Sequence, residues 1–123
     1  MSQSFLSISD ITSYKWSIHQ ITYPGSVYER LKTWGSLINR AFVVTVAGER
    51  IYWGMFKDDV DSGWCQNPVI MLYPRHPDGR NTIPPCLTIQ RAYPGYSGSD
   101  DDPDLRADPR IYQVLSDAGI LIP

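Results

Sequence analysis

The chain has 123 residues, a formal charge of −2 and a pI near 5.5. Its 42% hydrophobic, 20% charged and 12% aromatic content is that of one globular domain with extra aromatics. The mild acidity argues against a nucleic-acid binder, which would be basic, and no apolar run approaches the ~20 residues that span a bilayer.

The N-terminus shows no basic stretch followed by a long apolar segment, so no signal peptide is expected. No Asn-x-Ser/Thr site occurs either, and the expected location is cytoplasmic. Cys65 and Cys86 are too few for a disulfide scaffold. An antiparallel strand pair would hold them at opposite ends, so both are expected as free thiols.

In chain order, residues 1–12 are polar, Ser-rich and expected to be loosely ordered. Tyr14–Tyr23 alternates Tyr14, Trp16 and Ile18 against Lys15, Ser17 and His19, the period of a half-buried strand. A helix through Ile11, Tyr14, Ile18 and Ile21 is the competing reading. Tyr23-Pro24-Gly25 marks a turn. Ser26 and Glu29 match a capping box, and Val27, Leu31, Trp34 and Ile38 form one apolar stripe. A helix over about 26–39 follows.

Phe42–Val46 and Ile51–Phe56 flank a break containing Gly48, the pattern of a β-hairpin. Both runs are apolar at almost every position. Such strands are covered on both faces, or use one face for binding, with Tyr52 and Trp53 as the aromatic candidates. The first reading makes the hairpin the centre of the core. Lys57–Gln66 is an acidic loop. Pro68–Tyr73 and Cys86–Arg91 read as two further strands around a proline-rich loop. Tyr93-Pro94-Gly95 repeats the earlier turn chemistry. Residues 97–108 form an acidic loop expected to be mobile. A second helix over about 109–118 starts at Asp108-Pro109 and stops at Gly119. The expected fold is a single α+β domain, with a mainly antiparallel four- or five-stranded sheet and these two helices packed on it.

The motifs of common chemistries are absent. Neither acidic loop matches a calcium-binding loop. Counted from Asp100, Leu105 and Ile111 fall where Gly and Glu are needed; counted from Asp59, Gly63 falls one place early. His19 and His76 have no zinc-ligand spacing with the cysteines. No nucleophile elbow or phosphate-binding glycine loop occurs. No metal and no cofactor are therefore expected.

The loop 75–81 gathers Arg75, His76, Asp78, Arg80 and Asn81, and paired arginines suit a carboxylate or phosphate. It is the candidate ligand site, with His76 and Asp78 the weak catalytic candidates. Trp64, Tyr73, Tyr93 and Tyr96 lie in loops or at strand ends, and loop aromatics are enriched at interfaces. The leading functional expectation is a small protein-binding module of inhibitor, immunity or accessory type, more binder than enzyme. Its expected partner is another protein, with no nucleic acid and no membrane. The alternatives are a small-ligand protein or enzyme at the Arg75–Asn81 loop, and a homo-oligomer formed through an uncovered sheet face or edge.

Overall fold

A computed structural model describes residues 5–34, 37–58, 63–73 and 83–123. Among the described residues, seven strands form one sheet: β1 (Ser13–Lys15), β2 (Gln20–Thr22), β3 (Ala41–Val46), β4 (Glu49–Lys57), β5 (Val69–Met71), β6 (Cys86–Gln90) and β7 (Leu121–Ile122). Their order is β3-β4-β5-β6-β2-β1-β7, and the sheet curls into a half-barrel. The helices are α1 (Gly25–Leu31) and α2 (Pro109–Asp117). Among the described residues, no helix is long and apolar enough to cross a membrane.

The α+β class agrees with the sequence reading, but the sheet does not. It is mixed and seven-stranded, rather than mainly antiparallel with four or five strands. Two of its pairs are parallel, β4 with β5 and β1 with β7. Short loops between strands suggested antiparallel pairing throughout, but Met55, Phe56 and Lys57 run parallel to Val69, Ile70 and Met71. The 14–23 strand is two strands. Four residues turn the chain between Lys15 and Gln20, ending on His19 at φ +50.

α1 is also shorter than the apolar stripe suggested. It caps at Lys32; Leu37 is buried in the core and Ile38 packs half-buried against it. Its N-cap is Pro24 with no side-chain cap bond, so Ser26 lies inside the first turn and no capping box forms. α2 starts and stops as its residues dictate. The Asp108 carboxylate accepts from Arg110 N–H, Pro109 occupies the first turn, and Gly119 takes φ +74. Ile120 N–H then returns to the Leu115 carbonyl, the closing bond of a glycine-terminated helix.

The core fills the concave side. Leu31, Leu37, Tyr52, Phe56, Ile70, Leu87, Ile89, Ile111 and Leu115 belong to one buried cluster. An aromatic chain crosses it, from Trp34 to Phe5 (5.5 Å), Phe5 to Phe56 (5.2 Å) and Phe56 to Phe42 (5.2 Å). Edge-on contacts such as the two made by Phe5 add to plain area burial. Asp10 takes both Arg30 guanidinium nitrogens at 3.1 and 2.8 Å and ties the N-terminal segment to α1. That ion pair lowers the Asp10 carboxyl to about 2.

The hairpin is not central: β3 is an edge strand. Its burial alternates, with Phe42, Val44 and Val46 facing the core while Ala41, Val43 and Thr45 are exposed. On β4, Tyr52 is buried and Trp53 is 52% exposed. The near-continuous apolar run therefore reports one core face and one open apolar face.

Candidate functional site

Two groups of side chains have the composition of a site, and the geometry separates them.

The first is buried under the β1–β2 turn. His19 is 6% exposed, and its Nδ1 lies 2.9 Å from the Tyr14 hydroxyl. Burial raises the Tyr14 hydroxyl above its ordinary pKa and lowers that of the imidazole. Tyr14 thus donates, Nδ1 accepts, and the ring proton sits on Nε2. Trp16 packs edge-on against His19 at 4.8 Å and against Tyr112 of α2 at 5.0 Å. Asp104 and Arg106 form an ion pair at 2.7 Å within electrostatic reach of Tyr14, His19 and Tyr52. Arg106 also donates to the Ile89 carbonyl.

This is a set of acid–base groups, but neither of the two clefts described below is lined by any of His19, Tyr14 and Arg106. Its visible work is to fix a tight turn against β6 and α2. A pH dependence follows. Folding lowers the His19 pKa below its ordinary 6.5, so between those two values the unfolded chain binds the extra proton. Stability from the neutral ring is full above pH 6.5 and is lost progressively as pH falls from there through the lowered folded pKa. Melting curves from pH 8 to 5 are expected to show a falling midpoint, and His19→Gln to flatten the slope. A wild-type midpoint independent of pH over that range contradicts the assignment.

The second group is the outer face and free edge of the β3–β4 hairpin. Ala47 and Gly48 make a two-residue turn with φ of +51 and +82, the pair of positive values that suits a tight hairpin. Val43 lies opposite Trp53 in the strand register, and both side chains are about half exposed. A shallow cleft of about 480 Å³ runs over Ala41, Val43, Arg50, Ile51 and Trp53.

The backbone pattern shows which edge groups are free. Met55 N–H goes to the Pro68 carbonyl, the Lys57 carbonyl accepts from Leu72, and the Trp53 carbonyl accepts from the Asn67 amide. Those three β4 residues therefore turn toward β5, and Tyr52, Gly54 and Phe56 turn toward β3. A bulge between Val44 and Thr45 interrupts the ladder, but its extra residue, Ile51, lies on β4, so β3 keeps the alternation of an antiparallel strand, as its alternating burial shows. Val44 and Phe42 bond to β4, and Ala41, Val43 and Thr45 point their N–H and C=O outward. Among the described residues, no partner meets them.

The loop aromatics singled out from sequence divide between two corners. The Cys65–Tyr93 bridge, with Gln66 bonded to Gly95 and Ser97, stitches the loops of Trp64, Tyr93 and Tyr96 together. Trp64 is 71% exposed. Tyr96 stacks under Arg91 at 3.9 Å and donates to Asp102 at 2.6 Å, beside a cleft of about 300 Å³. Tyr73 lies past the other end of β5, near Tyr23. Cys65 and Cys86 are unbridged. Arg75, His76, Asp78, Arg80 and Asn81 lie outside the described residues, as do Asp59 and Asp61. Among the described residues, no group of three or more His, Cys, Asp or Glu could hold a metal ion.

Sequence reasoning noticed Trp53 and raised an uncovered sheet face or edge in general, but it did not single out Val43 or place the edge at β3. The alternation of exposure along β3 is invisible where every residue is apolar or Thr. Comparison with protein-family models, with curated proteins and with solved structures finds no match.

Proposed function

We propose that this chain is a small protein-binding module that receives an extended segment on the β3 edge, beside the Val43–Trp53 face. One observation carries the reading: a six-residue edge strand with unpaired outward backbone groups and exposed apolar side chains. Folded proteins blunt such edges with charge, proline or a covering element, because an open edge templates strand pairing. Strand addition uses the same free edge productively. Main-chain bonds then supply affinity, and alternate side chains supply selectivity. An exposed Trp beside the edge is the residue type that most often anchors such contacts. Trp64 and the stitched loop of Tyr93 and Tyr96 offer a second aromatic contact on the β5 side. The unbridged cysteines support a reducing compartment, and with it a cytoplasmic location.

A displayed library of extended peptides, selected on the wild-type chain, tests the reading. Enriched peptides are expected to alternate apolar residues and to shift the Ala41, Val43 and Thr45 amide resonances. Trp53→Ala is expected to weaken them about tenfold or more, the loss of one aromatic anchor. Enriched peptides that shift only amides away from β3, with affinity unchanged by Trp53→Ala, contradict it.

A further inference from the structure

We propose that the occupant of the β3 edge is the β3 edge of a second copy of this chain, antiparallel about a two-fold axis through Val43. The inference rests on the strand-docking reading above and names its partner.

The edge complements itself. Its outward groups sit on Ala41, Val43 and Thr45, evenly spaced about Val43. Turned end for end, a second copy brings Val43 opposite Val43 and Ala41 opposite Thr45. Each of the three residues offers one N–H and one C=O, so every donor on one edge meets an acceptor on the other. No charged residue or proline stands at these three positions. The side chains agree with the backbone. Val43 and Trp53 share a face, so the two-fold axis aligns Trp53, Val43, Val43 and Trp53 in one apolar row across the joined sheets. Apolar cross-strand pairs of this kind are what stabilise a sheet laterally. A C2 contact requires one patch that matches itself, and this edge does.

The opposite edge of the sheet is built differently. β7 has two residues and is followed by Pro123, which has no N–H to offer. α2 approaches the hairpin near its turn, through Arg110 and Glu49 at 3.3 Å, and leaves Ala41, Val43 and Thr45 exposed. Six residues of edge with two flanking tryptophans would bury roughly 1,000 Å² in total, the lower bound of a specific interface. The dimer is therefore a weak one, in exchange with the monomer.

Light scattering on size-exclusion fractions, from micromolar to millimolar concentration, tests the pairing. The wild-type mass is expected to rise from one chain to two. Val43→Lys places like charges face to face on the axis. It is expected to stay at one chain throughout with its far-ultraviolet spectrum unchanged, while Ile122→Lys, on the other edge, dimerises like the wild type. A wild type that stays at one chain at millimolar concentration overturns the proposal, as does a folded Val43→Lys that still dimerises.

If Val43→Lys loses its fold, mixed isotope-labelled wild type decides. The register places Phe42 opposite Val44 of the other copy, and an intermolecular Hα–Hα contact between them is expected; a dimer lacking it overturns the proposal. A monomer that still takes up extended peptides on β3 removes self-pairing and leaves strand docking intact. A monomer that takes up none removes both.

Discussion

Gly54→Ala is expected to cost more stability than any other single-methyl addition in the β4 strand. Gly54 faces the core, and a Cβ there would fall inside the contact distance of the Pro68 carbonyl and lie 2.5 Å from the Phe42 ring. Phe42 can swing aside by rotating χ1. The Pro68 carbonyl cannot, because it accepts the Met55 N–H at 3.0 Å and starts the parallel β4–β5 pairing. The methyl group must push β5 away from β4 or unseat Phe42 from Phe56 and Tyr52. Overpacking of a well-filled site costs roughly 1–3 kcal/mol, and backbone obstruction puts Gly54→Ala at the upper end of that range. Thermal unfolding is expected to show a drop of roughly 10 °C, given the few degrees per kcal/mol of a domain this size. A midpoint within a degree or two of wild type would mean that β4 and β5 are not packed at this distance.

Leu87→Ala is the second large effect. Leu87 is 0% exposed and sits in β6, which pairs with β5 on one side and β2 on the other, opposite Ile21. A site held by strands on both sides collapses poorly when emptied. A buried Leu→Ala change costs roughly 2–5 kcal/mol, more where the cavity stays open. Urea titration is expected to give a lower midpoint at unchanged slope. A loss below about 1 kcal/mol would place Leu87 outside the core.

The contrast between those two positions shows what was legible in the amino-acid sequence. Leu87 alternates with Thr88 and Gln90, so its strand and its buried face could be read directly. The turn at Gly48 and the α2 boundaries were equally local, since each depends on residues within a few positions. Gly54 gave no such signal. Its role depends on Pro68, a residue brought close only by a parallel pairing, and parallel pairings leave no turn signature. The β1–β7 pair, Tyr14 with Leu121, is hidden for the same reason.

The hairpin misled in a different way. Ala41–Phe56 is apolar enough to be the middle of a sheet, yet it forms the edge. Composition alone does not distinguish a strand covered on both faces from one awaiting a partner. His19 was equally obscure. Its alternation with Trp16 and Ile18 suggested a continuous strand, whereas its positive φ ends a turn and its ring is sealed by Tyr14 and Trp16. The Arg75–Asn81 loop lies outside the described residues.

Everything proposed for function depends on the outer side of β3 being open in the single chain. Amide hydrogen exchange followed residue by residue, in dilute solution, tests that most directly. Phe42, Val44 and Val46, bonded to β4, are expected to exchange slowly. Ala41, Val43 and Thr45 are expected to exchange fast in the same strand and to become protected when concentration rises or an extended peptide is added. Slow exchange of Val43 and Thr45 in dilute monomer, matching Val44, would show the edge already covered and would contradict the account.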